Sequence, residues 1–257
     1  MATKKTDEAP EEVTPVKIAA VEGEKETLPA EIPAEETAVA TTGGSMALGE
    51  ATGEVGASDI QFPTLRIIQK MSDNPDKLDE GIITLDNTLL VQDEKGNCRM
   101  TVLSLHKYYK EVLPFGAGIP QSFESAEAAI TAGFRICRSK ADRDAGVPIV
   151  EDAARAMLLI EKPENAMDRS FPYELDGIKC VPAIWWIQST AYRNVAKYIF
   201  SKLAFELKST GLLPAVWNLS TEKVSGKKGD YYVPRLSLTS DERSEKFITD
   251  VTTQIQL

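Results

Sequence analysis

Short apolar or alternating segments, separated by polar turns, run from about residue 59 to residue 240. Most are rich in β-branched and aromatic residues, which is typical of β-strands. Pro63 makes the first segment, 59–70, extended rather than helical. The remaining predicted strands span 81–92 (a strand or a hairpin), 99–112, 154–162, 178–188, the surroundings of Trp217, and 231–238. Because 99–112 is long for one strand, we expect a β-bulge near His106.

One segment shows clear helical periodicity, and it follows the strand 178–188. Ser189 or Thr190 can cap its start with a hydroxyl, and Gly211 supplies its end. Its apolar stripe consists of Tyr192, Val195, Ala196, Ile199, Leu203 and Leu207. A shorter helix is predicted over 122–132.

The order of these elements is several strands, one helix and then further strands. It lacks the strand–helix alternation that builds a parallel sheet. We therefore predict a mainly β fold with some α: an OB-fold-like five-stranded antiparallel barrel, with one helix packed against it and insertions.

Charge divides the chain into unequal parts. Residues 1–60 hold 13 acidic and 4 basic side chains, a net charge of −9, so 26 acidic and 25 basic side chains remain in 61–257, a net charge of −1. The first 60 residues contain no Trp, Tyr, Phe or Cys, too little apolar surface to offset the entropy of ordering. We predict a disordered acidic arm over 1–57, a folded domain over 58–240 and a C-terminal tail over 241–257.

Other classes of protein find little support in the sequence. Cys98, Cys137 and Cys180 lie far apart, and the single histidine, His106, completes no zinc motif with them. We expect no catalytic residues, no metal and no cofactor. Since the start of the chain has no apolar h-region, we expect no secretory signal, and no apolar run reaches the ~20 residues of a membrane helix. The expected setting is the reducing cytoplasm.

Two clusters place aromatic rings beside cations on predicted strands: Lys107-Tyr108-Tyr109-Lys110 and Tyr231-Tyr232-Val233-Pro234-Arg235. In single-stranded nucleic-acid sites, bases stack on rings while phosphates contact cations. Adjacent residues of a strand point to opposite faces, so we expect one Tyr of each pair in the core and one exposed. The competing interpretation is a core Tyr beside an ordinary surface Tyr.

Two further features are open to both a functional and a structural interpretation. Arg193 and Lys197 share a helix face, where they either line a phosphate groove or are simply solvated. In Trp185-Trp186 one ring should point inward and the other outward, but the flanking Ile184 and Ile187 favour a role in the core for the pair.

The chain resembles a group of bacteriophage single-stranded DNA-binding proteins with OB-folds. The resemblance rests on three motifs in order: the entry segment 56–70 with Phe62-Pro63, the strand containing Lys107-Tyr108-Tyr109, and Gln188-Ser189-Thr190 followed by the helix with Arg193 and Lys197. It implies a role in replication or recombination, coating unwound strands without sequence preference. Related replication proteins often carry an acidic tail at the C-terminus, whereas here the acidic residues lie at the N-terminus.

We therefore expect a non-enzymatic single-stranded DNA-binding protein. Its predicted contacts are Lys107, Tyr108, Tyr109, Lys110, Arg193, Lys197, Tyr231, Tyr232 and Arg235. The expected partner is single-stranded DNA, with replication proteins as candidates for the acidic arm, self-association left open and no membrane. If the chain is phage-encoded, the host cytoplasm is its setting. The alternative is a virion structural or assembly protein that uses the β domain for protein contacts; an enzyme of nucleic-acid metabolism would need a site assembled from distant residues.

Overall fold

The computed structural model describes residues 61–70, 72, 77–114, 116–144, 146–226 and 229–255. The acidic arm predicted over 1–57 lies outside them. The described part is mainly β, as predicted. A three-stranded antiparallel sheet contains β1 (Leu65–Ile67), β2 (Ile83–Leu85) and β3 (Leu89–Leu90). The second sheet has eight strands.

Five long strands dominate the eight-stranded sheet, and their spatial order is β11-β10-β4-β7-β9, with β8 beyond β9. They are β4 (Cys98–Glu111), β7 (Ile149–Glu161), β9 (Ile178–Ile187), β10 (Ala215–Gly226) and β11 (Gly229–Glu242). The short strands are β5 (Ser122–Phe123), β6 (Arg135–Ile136) and β8 (Tyr173–Leu175). Every pairing in this sheet is antiparallel except that of β6 with β7.

The main core lies on the inner face of β4, β7 and β9. Along each strand, small or branched side chains that point inward alternate with side chains that point outward. Ala154, Ala156 and Leu158 of β7 are buried there, facing Trp185 and Ile187 of β9. The register of β4 against β7 shifts between Val102 and Ser104. The expected bulge is therefore present but lies before His106, and it turns Leu103 to the outer face, where it packs with Leu159.

Helical segments connect and cover the strands. α1 (Ala126–Thr131) and α2 (Lys140–Arg143) belong to the β4–β7 insertion. One continuous helix, called here the central helix, follows β9 as α3 (Ser189–Ala191), a π-helical turn (Tyr192–Ala196) and α4 (Lys197–Phe205). A 3-10 turn (Asp168–Ser170) and α5 (Glu245–Gln254) complete the set.

Both ends of the central helix differ from the prediction. Gln188 occupies the N-cap position without a side-chain cap bond, so the expected hydroxyl cap from Ser189 or Thr190 is wrong. Ser189 itself has φ +51°, which orients it away from cap geometry. The helix ends at Phe205, six residues before Gly211, whose amide closes a further turn onto Leu207 O at 2.8 Å.

The long strands do not close into a barrel by strand pairing. Instead, residues 63–69, which include β1, span the gap between β9 at one edge of the sheet and β11 at the other. The Ile184 amide donates to Pro63 O at 2.9 Å. At the other edge, the side-chain amide of Gln69 makes two hydrogen bonds to the Tyr232 backbone. Its Nε2 donates to Tyr232 O at 2.8 Å, and its Oε1 accepts from Tyr232 N at 2.9 Å. The gap is thus bridged by one extended segment.

The residues assigned to a C-terminal tail, 241–257, contain α5. Its Phe247 and Val251 are buried against the outer face of the sheet, together with Leu103, Leu159 and Cys180. Among the residues that the structure describes, no helix combines the length and apolarity needed to cross a membrane.

Candidate nucleic-acid interface

A patch with exposed side chains lies on the outer face of β4, β7 and β9, outside the cluster that α5 buries. His106, Arg155 and Trp186 are cross-strand neighbours there, since His106 pairs with Arg155 and Arg155 with Trp186. All three side chains are exposed. Tyr108 lies two residues after His106 on β4, so its side chain is on the same face. We call these four residues the outer-face patch.

Trp186 is the centre of the outer-face patch. Its ring is 45% exposed, whereas its neighbour Trp185, on the inner face, is 5% exposed. The Arg155 guanidinium lies over the Trp186 ring at 5.8 Å from the centroid, within the range of a cation–π contact. The Tyr108 ring meets the same indole edge-on, with centroids 6.0 Å apart. The result is a supported aromatic surface carrying a cation.

Gln188, directly after β9, joins the outer-face patch to Lys110. Its amide nitrogen donates to the Tyr108 hydroxyl at 3.2 Å, and its oxygen accepts from Lys110 Nζ at 3.0 Å. Burial raises the pKa of Tyr108, while the hydrogen bond from Gln188 and the charge of Arg155 oppose the rise. Tyr108 is a neutral phenol at neutral pH, as a tyrosine with the ordinary pKa also is, and its hydroxyl is held by Gln188.

Lys107 and Tyr109 lie on the opposite, inner face. Lys107 Nζ pairs with Asp152 Oδ1 at 2.9 Å and sits 4.8 Å from the centroid of the Tyr109 ring. Burial lowers the pKa of Lys107, but hydrogen bonds to Asp152 and Tyr109 outweigh this and raise it. Lys107 is thus a fully charged ammonium group held by a carboxylate.

The central helix brings one predicted cation close to Lys107. Lys197 Nζ lies 6.0 Å from the centroid of the Tyr192 ring. Burial raises the pKa of the Tyr192 phenol, and the nearby Lys107 ammonium opposes that rise. Tyr192 therefore links the surroundings of Lys107 and Lys197. Arg193 is exposed on the same helix, and among the described residues it has no ion-pair partner.

The third group of predicted residues belongs to the β10–β11 hairpin. Tyr231 is 41% exposed, while Tyr232 is half-buried with its ring against Gly81. Gly81 has φ +88°, and a Cβ there would approach the Tyr232 ring to 2.4 Å, so only glycine fits. Arg235 is exposed and paired with Glu222. Tyr231 is thus the exposed ring of this pair, whereas Tyr232 is half-buried and does not belong to the core that was expected for it.

A cleft of about 270 Å³ connects the hairpin to the end of β9. The residues that line it on the β9 side include Trp185, Gln188 and Ser189, and on the hairpin side Tyr231 and Pro234. Gln188 also contacts Tyr108 and Lys110, so the cleft and the outer-face patch share this residue as a neighbour. Lys107, Tyr109 and Lys197 do not belong to this connected surface.

The Tyr108-Tyr109 pair departs from its prediction. The two rings do point to opposite faces, but both are buried, at 7% and 8% exposure. Tyr109 packs with Ala129 and Val150 beneath the β4–β7 insertion, and Tyr108 is covered by Trp186 and Gln188. An insertion and a neighbouring strand thus supply cover that strand alternation alone does not reveal.

Sequence reasoning missed three residues of this surface. Arg155 interrupts the apolar run 153–160, a signal that the sequence contains. Trp186 follows from the alternation of Trp185-Trp186, but its apolar neighbours favoured the core. Gln188 drew attention only within the Gln188-Ser189-Thr190 motif, because a contact 80 residues away in sequence leaves no local pattern.

Within the described ranges, no group of three or more His, Cys, Asp or Glu side chains could hold a metal ion. Comparisons with known proteins add no identity: no family model matches the chain, and neither a curated protein nor a solved structure shows significant similarity to it.

Proposed function

We propose that this protein binds single-stranded nucleic acid, DNA in the first place, through the outer-face patch and without sequence preference. The observation that carries the proposal is the exposed Trp186 ring with the Arg155 guanidinium over it. Of the three Trp residues of the chain, Trp185 and Trp217 are buried, so Trp186 is the indole that a base can reach.

The chemistry of the patch suits an unpaired strand. Every base has a π-face, so stacking on Trp186 needs no particular sequence and is worth about 1–3 kcal/mol per base. Arg155 and Lys110 lie within the same surface and can meet the phosphates on either side of a stacked base. In a duplex the bases are already stacked on each other, so we expect single strands to be preferred.

The fold supports the same proposal. The five long strands β4, β7, β9, β10 and β11, with the central helix after the third, fit an open form of the OB-fold-like barrel, in which the segment around β1 bridges the unpaired edges. In OB-folds the face of the second and third strands and the adjoining loops bind oligonucleotides. Here the second and third long strands are β7 and β9, which carry Arg155 and Trp186.

The predicted cations differ in whether a carboxylate already holds them. Lys107 is paired with Asp152, and Arg235 with Glu222. Among the described residues, no ion pair involves Lys110, Arg155, Arg193 or Lys197. We assign Lys110 and Arg155 to the first phosphate contacts, since they belong to or adjoin the outer-face patch and lose no existing ion pair on binding. Arg193 and Lys197 lie on the central helix, outside the patch, and would contact phosphates further along the strand. The role is non-enzymatic, and coating unwound DNA during phage replication or recombination is the biological setting we propose.

The test is a titration of fluorescein-labelled oligo-dT and of a duplex of equal length, at two salt concentrations. We expect binding of the single strand at micromolar protein or below, weakened by salt. Trp186→Ala should weaken it by about 1–3 kcal/mol, roughly 5- to 150-fold.

Phe205→Ala is the matched control. Phe205 is 84% exposed at the end of the central helix and has no place in the outer-face patch, so its loss should leave binding unchanged. Equal affinities of wild type and Trp186→Ala, with both proteins folded by circular dichroism, would refute the assignment of the patch. No shift of the oligo-dT at all would refute the function.

A further inference from the structure

Asp152 joins two cations that come from distant parts of the chain. It pairs with Lys107 of β4 at 2.9 Å, and its second oxygen lies 3.9 Å from Arg138 Nη1. Arg138 follows β6 in the β4–β7 insertion, which brings it to β7 because β6 pairs with the start of that strand. The Asp152 side chain is 18% exposed, whereas Lys107 and Arg138 are 38% and 64% exposed. Both cations therefore remain open to solvent.

The surroundings of this carboxylate are arranged for an anion. The Lys107 ammonium also contacts the Tyr109 ring, and Lys197 stands on the far side of Tyr192. A neighbouring cation, Arg143, is occupied by Glu151. Asp152 thus contacts Lys107 and Arg138, while two further carboxylates, Glu111 and Glu151, line the same cavity as Asp152.

A second carboxylate, far from Asp152 in the sequence, also contacts two cations. Asp168 joins Lys162, at 2.9 Å, and Lys179. It lies exposed on a 3-10 turn. Lys179 precedes Trp186 by seven residues on β9, about 23 Å along the strand. Asp168 therefore provides a matched charge far from the proposed interface.

From this geometry we infer that Lys107 and Arg138 form a phosphate-binding subsite, in which Asp152 stands in for the phosphate while no nucleic acid is bound. The inference rests on the proposed function and extends it to residues that the outer-face patch does not contain. A phosphate offers oxygen acceptors, as the carboxylate does, so it can take over both cations. An Arg paired with a phosphate in addition gains a charge-assisted bidentate contact.

The inference makes the loss of an acidic residue a gain of binding. Asp152→Asn removes the competing charge and keeps the shape. Affinity for oligo-dT should then rise about fivefold at low salt. The salt dependence should become steeper by about 0.7, the value for one further phosphate contact on a single strand. Asp168→Asn makes the same change in net charge, so it should stay within about twofold of wild type if only local competition matters.

Two further variants make the outcome of this experiment decisive. Lys107→Ala combined with Asp152→Asn should lose the gain, because the subsite is then incomplete. Asp152→Ser, which also lacks the charge, should reproduce the gain if Asp152→Asn fails to fold. Equal effects of Asp152→Asn and Asp168→Asn, or weaker binding by a folded Asp152 variant, would overturn the inference.

Inorganic tripolyphosphate separates this inference from the proposed function. Titrated calorimetrically against wild type and Asp152→Asn, it should bind the variant more tightly, whether or not DNA binds. If the wild-type protein does not bind oligo-dT, the proposed function is refuted. The tripolyphosphate titration still tests the subsite: tighter binding of tripolyphosphate by Asp152→Asn supports the inference, and equal binding overturns it.

Discussion

The outer face of β4, β7 and β9 has two halves built from the same three strands. On one half, Leu103 and Leu159 are sealed by Phe247 and Val251 of α5. On the other half, the positions in the same alternation carry the outer-face patch: His106, Tyr108, Arg155 and Trp186. The change occurs within three residues on β4, from Leu103 to His106, and within two on β7, from Met157 to Arg155.

This difference separates burial from binding as reasons for apolar surface. Aliphatic side chains fill the half that a helix covers, because burial stabilises them at about 25 cal/mol per Å². The uncovered half keeps its rings but adds cations and polar groups, which lower the cost of exposure and suit a polyanion. A ring supported by Arg155 and Tyr108 is held in place before any ligand arrives, so little ordering entropy is lost on binding.

The largest effect should come from the covered half. Phe247→Ala removes a ring that is 1% exposed and contacts the Arg243 guanidinium. The loss should lower the free energy of unfolding by about 3–5 kcal/mol, measured by urea denaturation. The protein that remains folded should bind oligo-dT as wild type does. A change below about 1 kcal/mol would show that α5 does not seal this half.

In the uncovered half, Arg155→Ala should change binding rather than stability. Its guanidinium has no ion-pair partner among the described residues and is exposed on the Trp186 ring. We expect a loss of about 1 kcal/mol in affinity for oligo-dT and a salt dependence that is flatter by about 0.7. Titrations at four salt concentrations measure both. Arg235→Ala is the control, since Arg235 is already paired with Glu222; an equal effect of the two substitutions would contradict the assignment.

The smallest effect concerns the attachment of α5 and depends on pH. The Asp176 carboxylate accepts a hydrogen bond from Ser244 Oγ at 2.6 Å and pairs with Lys246 at 3.2 Å. These contacts lower its pKa below the usual 3.8. The folded state then binds fewer protons than the unfolded state, so the contribution is present above the unfolded pKa and is lost as pH falls through the folded value.

Asp176→Asn should therefore reduce stability at pH 7 and cost less as the pH falls below about 4. Urea denaturation of wild type and variant at pH 7 and at pH 3 measures the difference in the free energy of unfolding at each pH. Binding of oligo-dT by the variant at pH 7 should be unchanged, because Asp176 supports the covered half only. A difference that widens on acidification would contradict the assigned direction of the pKa shift.

The sequence predicted the elements better than their ends. The strands around 99–112 and 178–188 and the helix with the Tyr192 stripe are present, because hydrophobic periodicity reports directly on burial. The prediction of the helix cap failed because Gln188 takes the N-cap position and Ser189 has a left-handed backbone. The strand at Ile149 begins five residues before its prediction, because the charged residues Glu151 and Asp152 interrupt the apolar pattern although both pair with β4.

The candidate site shows the same division. Local alternation correctly separated Trp185 from Trp186 and set Tyr108 opposite Tyr109, because the pleat of a strand is a local property. Whether an outward ring meets solvent is not local. It depended on Trp186 beside Tyr108 and on the insertion above Tyr109, contacts between residues about 20 to 80 positions apart.

By itself, the sequence determined that the folded part is mainly β, that acidic charge collects in the first 60 residues, and that rings and cations recur along the strands. Only the tertiary structure decided which of them share a surface. It placed Arg155 on Trp186, joined Gln188 to Tyr108 and Lys110, and gave Lys107 to Asp152. The physical reason is that periodicity encodes the face on which a side chain lies, whereas strand register and chain crossings choose its neighbours.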